Sequence, residues 1–323
     1  MTDGDAPDLA AVEAARQRIR ATAVRTPLRR SEALSRRLGG PAFLKLETMQ
    51  HTGAFKLRGA ANAVLSLPPA LRARGVVTYS TGNHGRALAY VARQHGARCV
   101  VCLSDLVPEG KRARLGALGG ELVIGGADQD AAMARAEAIA AAEGLHLVGP
   151  IDDPRVIAGQ GTLALEILDD LPEVGTILVP LSGGGLFSGV ATAIRGRRSG
   201  ARLVAVSSER CPAMRDSIAA GRPITVDERP SLADSLGGGI GLDNRYTFDI
   251  VRRTVDEHVT VDDAEIAAAM RFAFEEERLV LEGAGAAAIA AALSHASAAW
   301  PRPVVTLATG DNVDLERFRA IVQ

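Results

Sequence analysis

The chain has 323 residues, 47% hydrophobic and 23% charged, with a net charge of −1. That balance argues against nucleic acid or an anionic membrane surface as the main partner. No apolar stretch reaches transmembrane length without charges or glycines, and the acidic start Met1-Thr2-Asp3-Gly4-Asp5 lacks the basic-then-apolar pattern of a signal peptide. A cytoplasmic enzyme or small-molecule-binding protein is expected, long enough for two medium domains. Cys99 and Cys102 have C-x-x-C spacing but sit in the apolar run Arg98–Leu103, so they read as inert buried thiols.

In chain order, an amphipathic helix is predicted over Asp8–Ala21, ended by the extended turn Thr26-Pro27-Leu28. Ser31 can cap a second helix that runs to Leu38 and stops at Gly39-Gly40. A strand follows at Phe43–Glu47, then a polar loop, then a helix over Phe55–Leu67 ended by Pro68-Pro69. From there short apolar runs alternate with helices. The strands are 75–79, 98–103, 121–124 and 145–148; the helices are His84–His95, Pro108–Leu118 and Asp128–Glu143. This is the signature of βαβ units and a parallel sheet. The alternation resumes with helix Gly159–Asp169, strand Thr176–Pro180, helix Leu186–Arg195 and strand Arg202–Val206. An irregular section, 208–259, precedes helices Asp262–Glu277 and Gly285–Ala298, strand Val304–Ala308 and a last short helix. The expected architecture is α/β with two doubly wound domains: a large one from residues 1–70 and 153–323, and a small one, 71–152, inserted in it.

Three turns and one lysine carry the chemistry. In Gly53-Ala54-Phe55-Lys56-Leu57-Arg58-Gly59-Ala60, Lys56 stands between an aromatic and an apolar residue at a helix start. Partial desolvation there would favour a nucleophilic amine able to form a Schiff base with an aldehyde; a surface lysine along a helix is the competing reading. Ser182-Gly183-Gly184-Gly185-Leu186 links a strand to a helix, and its backbone N–H groups can converge on a phosphate. It has neither the Gly-Lys-Ser/Thr ending of a nucleotide loop nor the third glycine of Gly-x-Gly-x-x-Gly, so it suits a phosphate monoester. Ser80-Thr81-Gly82-Asn83-His84-Gly85 lies at another strand-to-helix turn, where ligands bind in such sheets, although Asn83 and Ser80 could simply cap the helix. Thr309-Gly310-Asp311-Asn312 places a further hydroxyl at the end of the last strand.

These motifs, in this order, resemble those of the pyridoxal-phosphate-dependent serine/threonine dehydratase family, relatives of serine racemase with the tryptophan synthase β-like fold (fold type II). Ser80–Ala87, Gly159-Gln160-Gly161-Thr162 and Ala233–Tyr246 look closest to its hydroxyectoine-utilisation branch. The resemblance implies pyridoxal 5′-phosphate as cofactor, imine-linked to Lys56, which would also take the Cα proton of the substrate. Phe55 would pack beside the cofactor, Asn83 would bond its 3′-oxygen, and Gly183, Gly184, Gly185 and Leu186 would hold its phosphate. Thr309 would face the ring nitrogen and Glu282 the ring edge. Ser80, Thr81, Gly82 and His84 would bind the substrate carboxylate. The implied reaction is β-elimination of water from a hydroxy-amino acid, of threonine or serine type or derived from hydroxyectoine, giving a 2-oxo acid and ammonia. A homodimer is implied as well.

Several residues depart from the family pattern. Ser182 replaces the first of four glycines and would add a hydroxyl donor to the phosphate turn. Thr309 replaces a serine, and Ala233-Asp234-Ser235 replaces Ala-Asp-Gly. Ser207 and Ala213 stand where divalent-metal ligands are usual, with Glu209 out of register, so no metal site of that kind is expected. No regulatory domain is expected after Asn312. Thr81 offers a hydroxyl where serine racemase has a serine, which leaves amino-acid racemisation as the alternative activity. A non-catalytic module binding a phosphorylated ligand is the third.

Overall fold

A computed structural model describes every residue except 1–5, 81, 106, 108 and 298, and every described side chain except those of 129 and 130. After helix α1 (Leu9–Ile19), capped by Asp8, come β1 (Leu28–Arg30), α2 (Glu32–Leu38), capped by Ser31, and β2 (Ala42–Leu46). Then follow α3 (Lys56–Leu65), α4 (Pro69–Arg74), β3 (Val76–Thr78), α5 (Asn83–Gln94), β4 (Cys99–Leu103), α6 (Glu109–Ala117), β5 (Glu121–Ile124), α7 (Gln129–Glu143) and β6 (His146–Leu147). The remainder is α8 (Pro154–Asp170), β7 (Thr176–Pro180), α9 (Gly185–Gly196), β8 (Arg202–Ser208), α10 (Ala213–Ala219), α11 (Thr247–Thr254), β9 (Glu257–Val261), α12 (Asp263–Glu277), α13 (Gly283–Ser294), β10 (Val304–Ala308) and α14 (Leu315–Val322).

The strands form two sheets. One has the order β1-β2-β10-β7-β8-β9, parallel except for the antiparallel β1–β2 pair. The other, β5-β4-β3-β6, is parallel throughout. Alternate residues of each strand feed opposite cores, as the period of two requires. On β7, Ile177 and Val179 join Phe187, Val190 and Leu163 on one side, while Leu178 joins Ile289, Met270 and Trp300 on the other. In the smaller sheet Val76 and Val101 pack on Leu57, Val64 and Leu88, and Val77 and Val100 pack on Ala132 and Ala136. Cys99 and Cys102 fall on opposite faces of β4, so the C-x-x-C spacing brings no thiol pair together; burial pushes the Cys99 thiol up to about 12.

Helix α3 joins the two halves. Its Leu57, Ala60, Ala61 and Val64 belong to the core under the smaller sheet, while its glycine face meets α8, where a Cβ on Gly159 would stand 2.7 Å from Gly59 Cα. The neighbouring residues of α8 complete the seat: Gln160 Oε1 accepts from Gly59 N at 3.2 Å, and Thr162 Oγ1 accepts from Arg58 at 3.2 Å.

Several boundaries differ from the sequence expectation. Helix α8 begins at Pro154, not Gly159, because proline is pre-organised for the first helical position and Asp153 caps it through Arg155 N and Val156 N. Strand β1 forms where only an extended turn was expected, paired antiparallel with β2. The section 208–259 contains α10, α11 and, at its end, most of β9. Helix α4 occupies the stretch after Pro68, with Pro69 in its first turn. Among the described residues no helix is long and apolar enough to cross a membrane.

Candidate active site

The site lies around the start of α3. Phe55 N donates to Thr309 O at 3.0 Å, and Ala54 and Gly310 form an isolated bridge, so the residues just before Lys56 are stitched to the end of β10. The Lys56 amine sits 5.4 Å from the Phe55 ring centre and donates to Pro150 O at 2.7 Å. Burial alone lowers its pKa to about 8, with no carboxylate to oppose it. A carbonyl accepts a hydrogen bond from a neutral amine as well as from an ammonium, and adds no negative charge to hold the proton.

The segment that accepts from Lys56 continues straight onto the glycine turn. A Cβ on Gly183 would stand 2.5 Å from Ile151 Cγ2, and one on Gly185 2.8 Å from Ile151 O. Gly184 has φ +95°, a conformation that disfavours any side chain, and a Cβ there would press Met214 and Thr247 at 2.9 Å. Helix α9 begins at Gly185, and the first N–H groups of a helix have no partner within it. The turn thus presents backbone donors in a space closed to side chains. The Ser182 hydroxyl is not one of these donors, contrary to expectation: it donates to Gly237 O at 3.1 Å, tying the turn to the 237 loop.

At the other edge a polar chain runs across three elements. Asn312 Nδ2 donates to Asn83 Oδ1 at 2.6 Å and to Thr52 O at 2.8 Å. Asn83 Nδ2 donates to Glu282 Oε1 at 2.7 Å. Both faces of the Asn83 amide are therefore assigned, and one Nδ2 proton remains. Burial pushes the Glu282 carboxyl up to about 7, with Asn83 opposing. The Thr309 hydroxyl, buried, makes a long bond to Ala284 O at 3.4 Å.

The carboxylate-loop residues are less uniform. Ser80 and Gly82 flank the start of α5, where Gly82 is the N-cap and has open space on its Cβ side. Thr81 lies outside the described residues. The His84 ring is buried and turned onto Val148 O at 3.3 Å, which assigns the proton to Nε2; burial and nearby Lys56 lower its pKa to about 3. It is a neutral tie, and its side chain does not aim outward from the loop. Its Nδ1 is buried with no partner among the described residues.

Sequence reasoning gave no role to Asn312, Pro150, Ile151 or Asp152. The charged residues beneath the site were also passed over. Arg58, two residues after Lys56, is held between Glu47 (Nε–Oε2 2.8 Å) and Glu166 (Nη1–Oε1 2.7 Å), and Lys45 pairs with Glu166 at 2.6 Å. An arginine beside Gly59, in a helix otherwise made mostly of small and apolar residues, was the available signal.

A half-buried amine of lowered pKa, a glycine turn of backbone donors and an oriented amide at the other edge suit an α/β enzyme that holds a phosphorylated aldehyde. The chain belongs to the family of pyridoxal-phosphate dependent enzymes, which matches residues 19–310. It is 49% identical over 314 residues to a Sinorhizobium fredii protein provisionally named threonine dehydratase, covering 97% of this chain and 95% of that one. It is 37% identical over 309 residues to the catabolic L-threonine dehydratase of Escherichia coli, covering 95% and 93%. The maize serine racemase structure superposes with a TM-score of 0.92 at 34% identity, covering 98% and 97%. The fold is fold type II, and the enzyme depends on pyridoxal phosphate. The residues fit that group: the turn has no Cβ to exclude a phosphate, and the amine has no competing acid.

Proposed function

We propose that this enzyme is an ammonia-lyase that eliminates water from a 3-hydroxy amino acid and releases a 2-oxo acid and ammonia. The observation that carries this is Lys56: a desolvated amine without a carboxylate partner, bonded to a segment that lies on the glycine turn. When bound, pyridoxal phosphate supplies an aldehyde that captures amines and a conjugated ring that accepts the electrons left at Cα.

The chain's residues divide the remaining work. Lys56, neutral at about pH 8 and above, is the base that takes the Cα proton. Gly183, Gly184, Gly185 and Leu186 present N–H groups to the phosphate. Asn83 has one Nδ2 proton left for the ring oxygen, with Asn312 and Glu282 fixing which end of the amide faces it. Phe55 covers one side of the ring, and Thr309 sets a hydroxyl, not a carboxylate, beside its nitrogen. A hydroxyl does not hold a proton there as an acid would, so electrons left at Cα are better used to expel the β-hydroxyl than stored. Ser80, Gly82 and the backbone at His84 are placed to hold the substrate carboxylate, together with Thr81. In the overall step the Cα–H and Cβ–O bonds break, and water and an enamine leave; hydrolysis of the enamine yields the 2-oxo acid and ammonia.

L-threonine and L-serine are the leading substrates, and the named relatives support them. A hydroxyectoine-derived 3-hydroxy amino acid is the finer reading, resting on the stretches Ser80–Ala87, Gly159–Thr162 and Ala233–Tyr246. The enzyme would work as a homodimer in the cytoplasm, with residues 71–152 as the smaller domain; sedimentation at twice the chain mass tests the dimer. The activity test is 2-oxo acid release from L-threonine, L-serine, threo-3-hydroxyaspartate and hydroxyectoine breakdown products, followed together with chiral chromatography. Release from at least one is expected. The D-enantiomer without 2-oxo acid would make it a racemase; a visible cofactor band with no turnover would make it a binding module.

A further inference from the structure

Four consecutive residues between β6 and α8 each make a different contact, two of them with the site. Pro150 O accepts from Lys56, and Ile151 lies against Gly183 and Gly185. Asp152 reaches out of the strap: its Oδ2 accepts from Arg245 N at 2.6 Å, and its Oδ1 from Tyr246 N at 3.0 Å and Thr247 N at 2.8 Å. Asp153 caps α8.

The adjacent carboxylates therefore cap two helices. Asp153 serves the helix that follows it in sequence. Asp152 serves α11, about 95 residues away, whose own N-cap Tyr246 makes no side-chain capping bond; Asn244 Oδ1 takes only Phe248 N, at 2.9 Å, and leaves the N–H groups of 245–247 to Asp152. Three N–H groups converging on one carboxylate fit within its acceptor capacity, and bonds to an ionised acceptor are the strong ones. The loop held in this way bears on the site too, because Thr247 Cβ would stand 2.9 Å from a Cβ on Gly184. On the strap side the chain is fixed by Val148 N donating to Val77 O at 2.9 Å and by the Asp153 cap, so Asp152 sits in a short span with little slack.

We propose that Asp152 is a positioning residue for the substrate pocket. Its carboxylate latches the strap bearing Pro150 and Ile151 onto the loop that ends at Thr247, and so fixes the wall of the pocket opposite the lysine helix. It touches no reacting atom. The proposal rests on the lyase reading for its catalytic readout.

The experiment compares holoenzyme of wild type, Asp152→Ala and Asp152→Asn. It reads amide hydrogen exchange at residues 245–247, KM and kcat for 2-oxo acid release from the best substrate, and the visible cofactor band. For Asp152→Ala, exchange at 245–247 and KM should both rise by about tenfold, the worth of roughly one net charge-assisted hydrogen bond, with kcat within about threefold and the cofactor band intact. Asp152→Asn keeps one acceptor oxygen and should show a smaller change in the same direction; it decides the matter if the alanine variant does not fold. Faster exchange with unchanged KM would make Asp152 a helix cap only and overturn the proposal, as would unchanged exchange. If wild type releases no 2-oxo acid, the lyase reading fails separately. The latch is then read from the amino-acid concentration that half-saturates the change in the visible band, which should shift by the same factor.

Discussion

Two lysines of this chain are drawn in from water, one fully and one by half, and their surroundings treat them in opposite ways. Lys45 on β2 is fully buried beneath the site, where its ammonium meets Glu166 at 2.6 Å and Thr26 O at 2.6 Å. Burial lowers its pKa, while Glu166 and Glu47 resist. With Arg58, the group holds two cations and two carboxylates, and Thr26 Oγ1 adds a bond to Glu47 at 2.5 Å. Lys56, eleven residues on, is lowered by burial with nothing to resist. The first arrangement stores a charge by matching it. The second opposes the charge, so that the amine gives up its proton near pH 8 and becomes a nucleophile. Arg58 connects them: it pins α3 from below, so that Lys56 at its first turn is held by the same helix that the ion network anchors.

The largest test of this contrast is removal of each lysine in turn. Lys56→Ala should lower turnover by about a thousandfold or more, since both the covalent anchor and the proton acceptor are lost, and should abolish the visible cofactor band. Its cofactor-free thermal stability should hold or rise, because an unpaired desolvated amine has been deleted. Lys45→Met should do the reverse. Glu166 would lose one of its two cations, and breaking a buried pair costs about 3–5 kcal/mol, measured as a lowered urea midpoint with unchanged slope. A Lys45→Met enzyme as stable as wild type, or a Lys56→Ala protein that unfolds, would erase the distinction.

The next effect concerns the turn. Gly183→Ala would drive a methyl into Ile151 at 2.5 Å. Either the strap or the turn must shift, and cofactor affinity should fall roughly 10–100-fold, the range expected for about 1.4–2.8 kcal/mol of misfit. Equilibrium dialysis of the cofactor against the variant reads this directly. The ion network lies elsewhere, so global stability should change far less than in Lys45→Met.

Much of this was legible in the sequence, and the reasons for the gaps are specific. The alternation of apolar runs and helices, the lysine between Phe55 and Leu57, and the triple-glycine turn are local signals, and each stands where it was expected. Helix α11 was hidden because the three N–H groups leading into it are held by Asp152, from another part of the chain; the local sign was Asn244, whose Oδ1 accepts from Phe248 N at 2.9 Å. Strand β9 reads His258-Val259-Thr260-Val261, a half-buried alternation embedded in charged flanks, and its pairing with β8 decides it. The Ser182 hydroxyl was assigned to the phosphate from its place in a motif, but a side chain's direction depends on what lies opposite, here Gly237 O. His84 was placed in the carboxylate loop for the same reason, while its ring satisfies Val148 O. The Asn312–Asn83–Glu282 chain joins residues 199 and 229 apart in sequence, a distance no motif can span.

The smallest effect is also the most diagnostic of the chemistry at Lys56. Cofactor capture requires the neutral amine, so the capture rate of cofactor-free protein should rise with pH and level off above the folded-state pKa of about 8. Below it the rate should fall about tenfold per pH unit, so that pH 7 lies about tenfold under the plateau. An ordinary solvated lysine would keep the rate climbing toward pH 10.5. The same displacement has a stability counterpart with a definite sign. Between pH 8 and 10.5 the unfolded chain holds a proton on this amine that the folded chain has released, so cofactor-free stability should increase with pH across that window relative to Lys56→Ala. Glu282, raised to about 7 by burial, acts in a lower window and in the opposite sense: the folded chain holds its proton between pH 4.5 and 7, and stability falls as pH rises there. Glu282→Gln should therefore flatten any step near pH 7 in either measurement and leave the step near pH 8 in place. Stopped-flow absorbance of wild type and Glu282→Gln separates the titrations. A capture profile for Glu282→Gln with no step near pH 8 would mean that the Lys56 amine is solvated after all, and the contrast with Lys45 would then rest on the ion network alone.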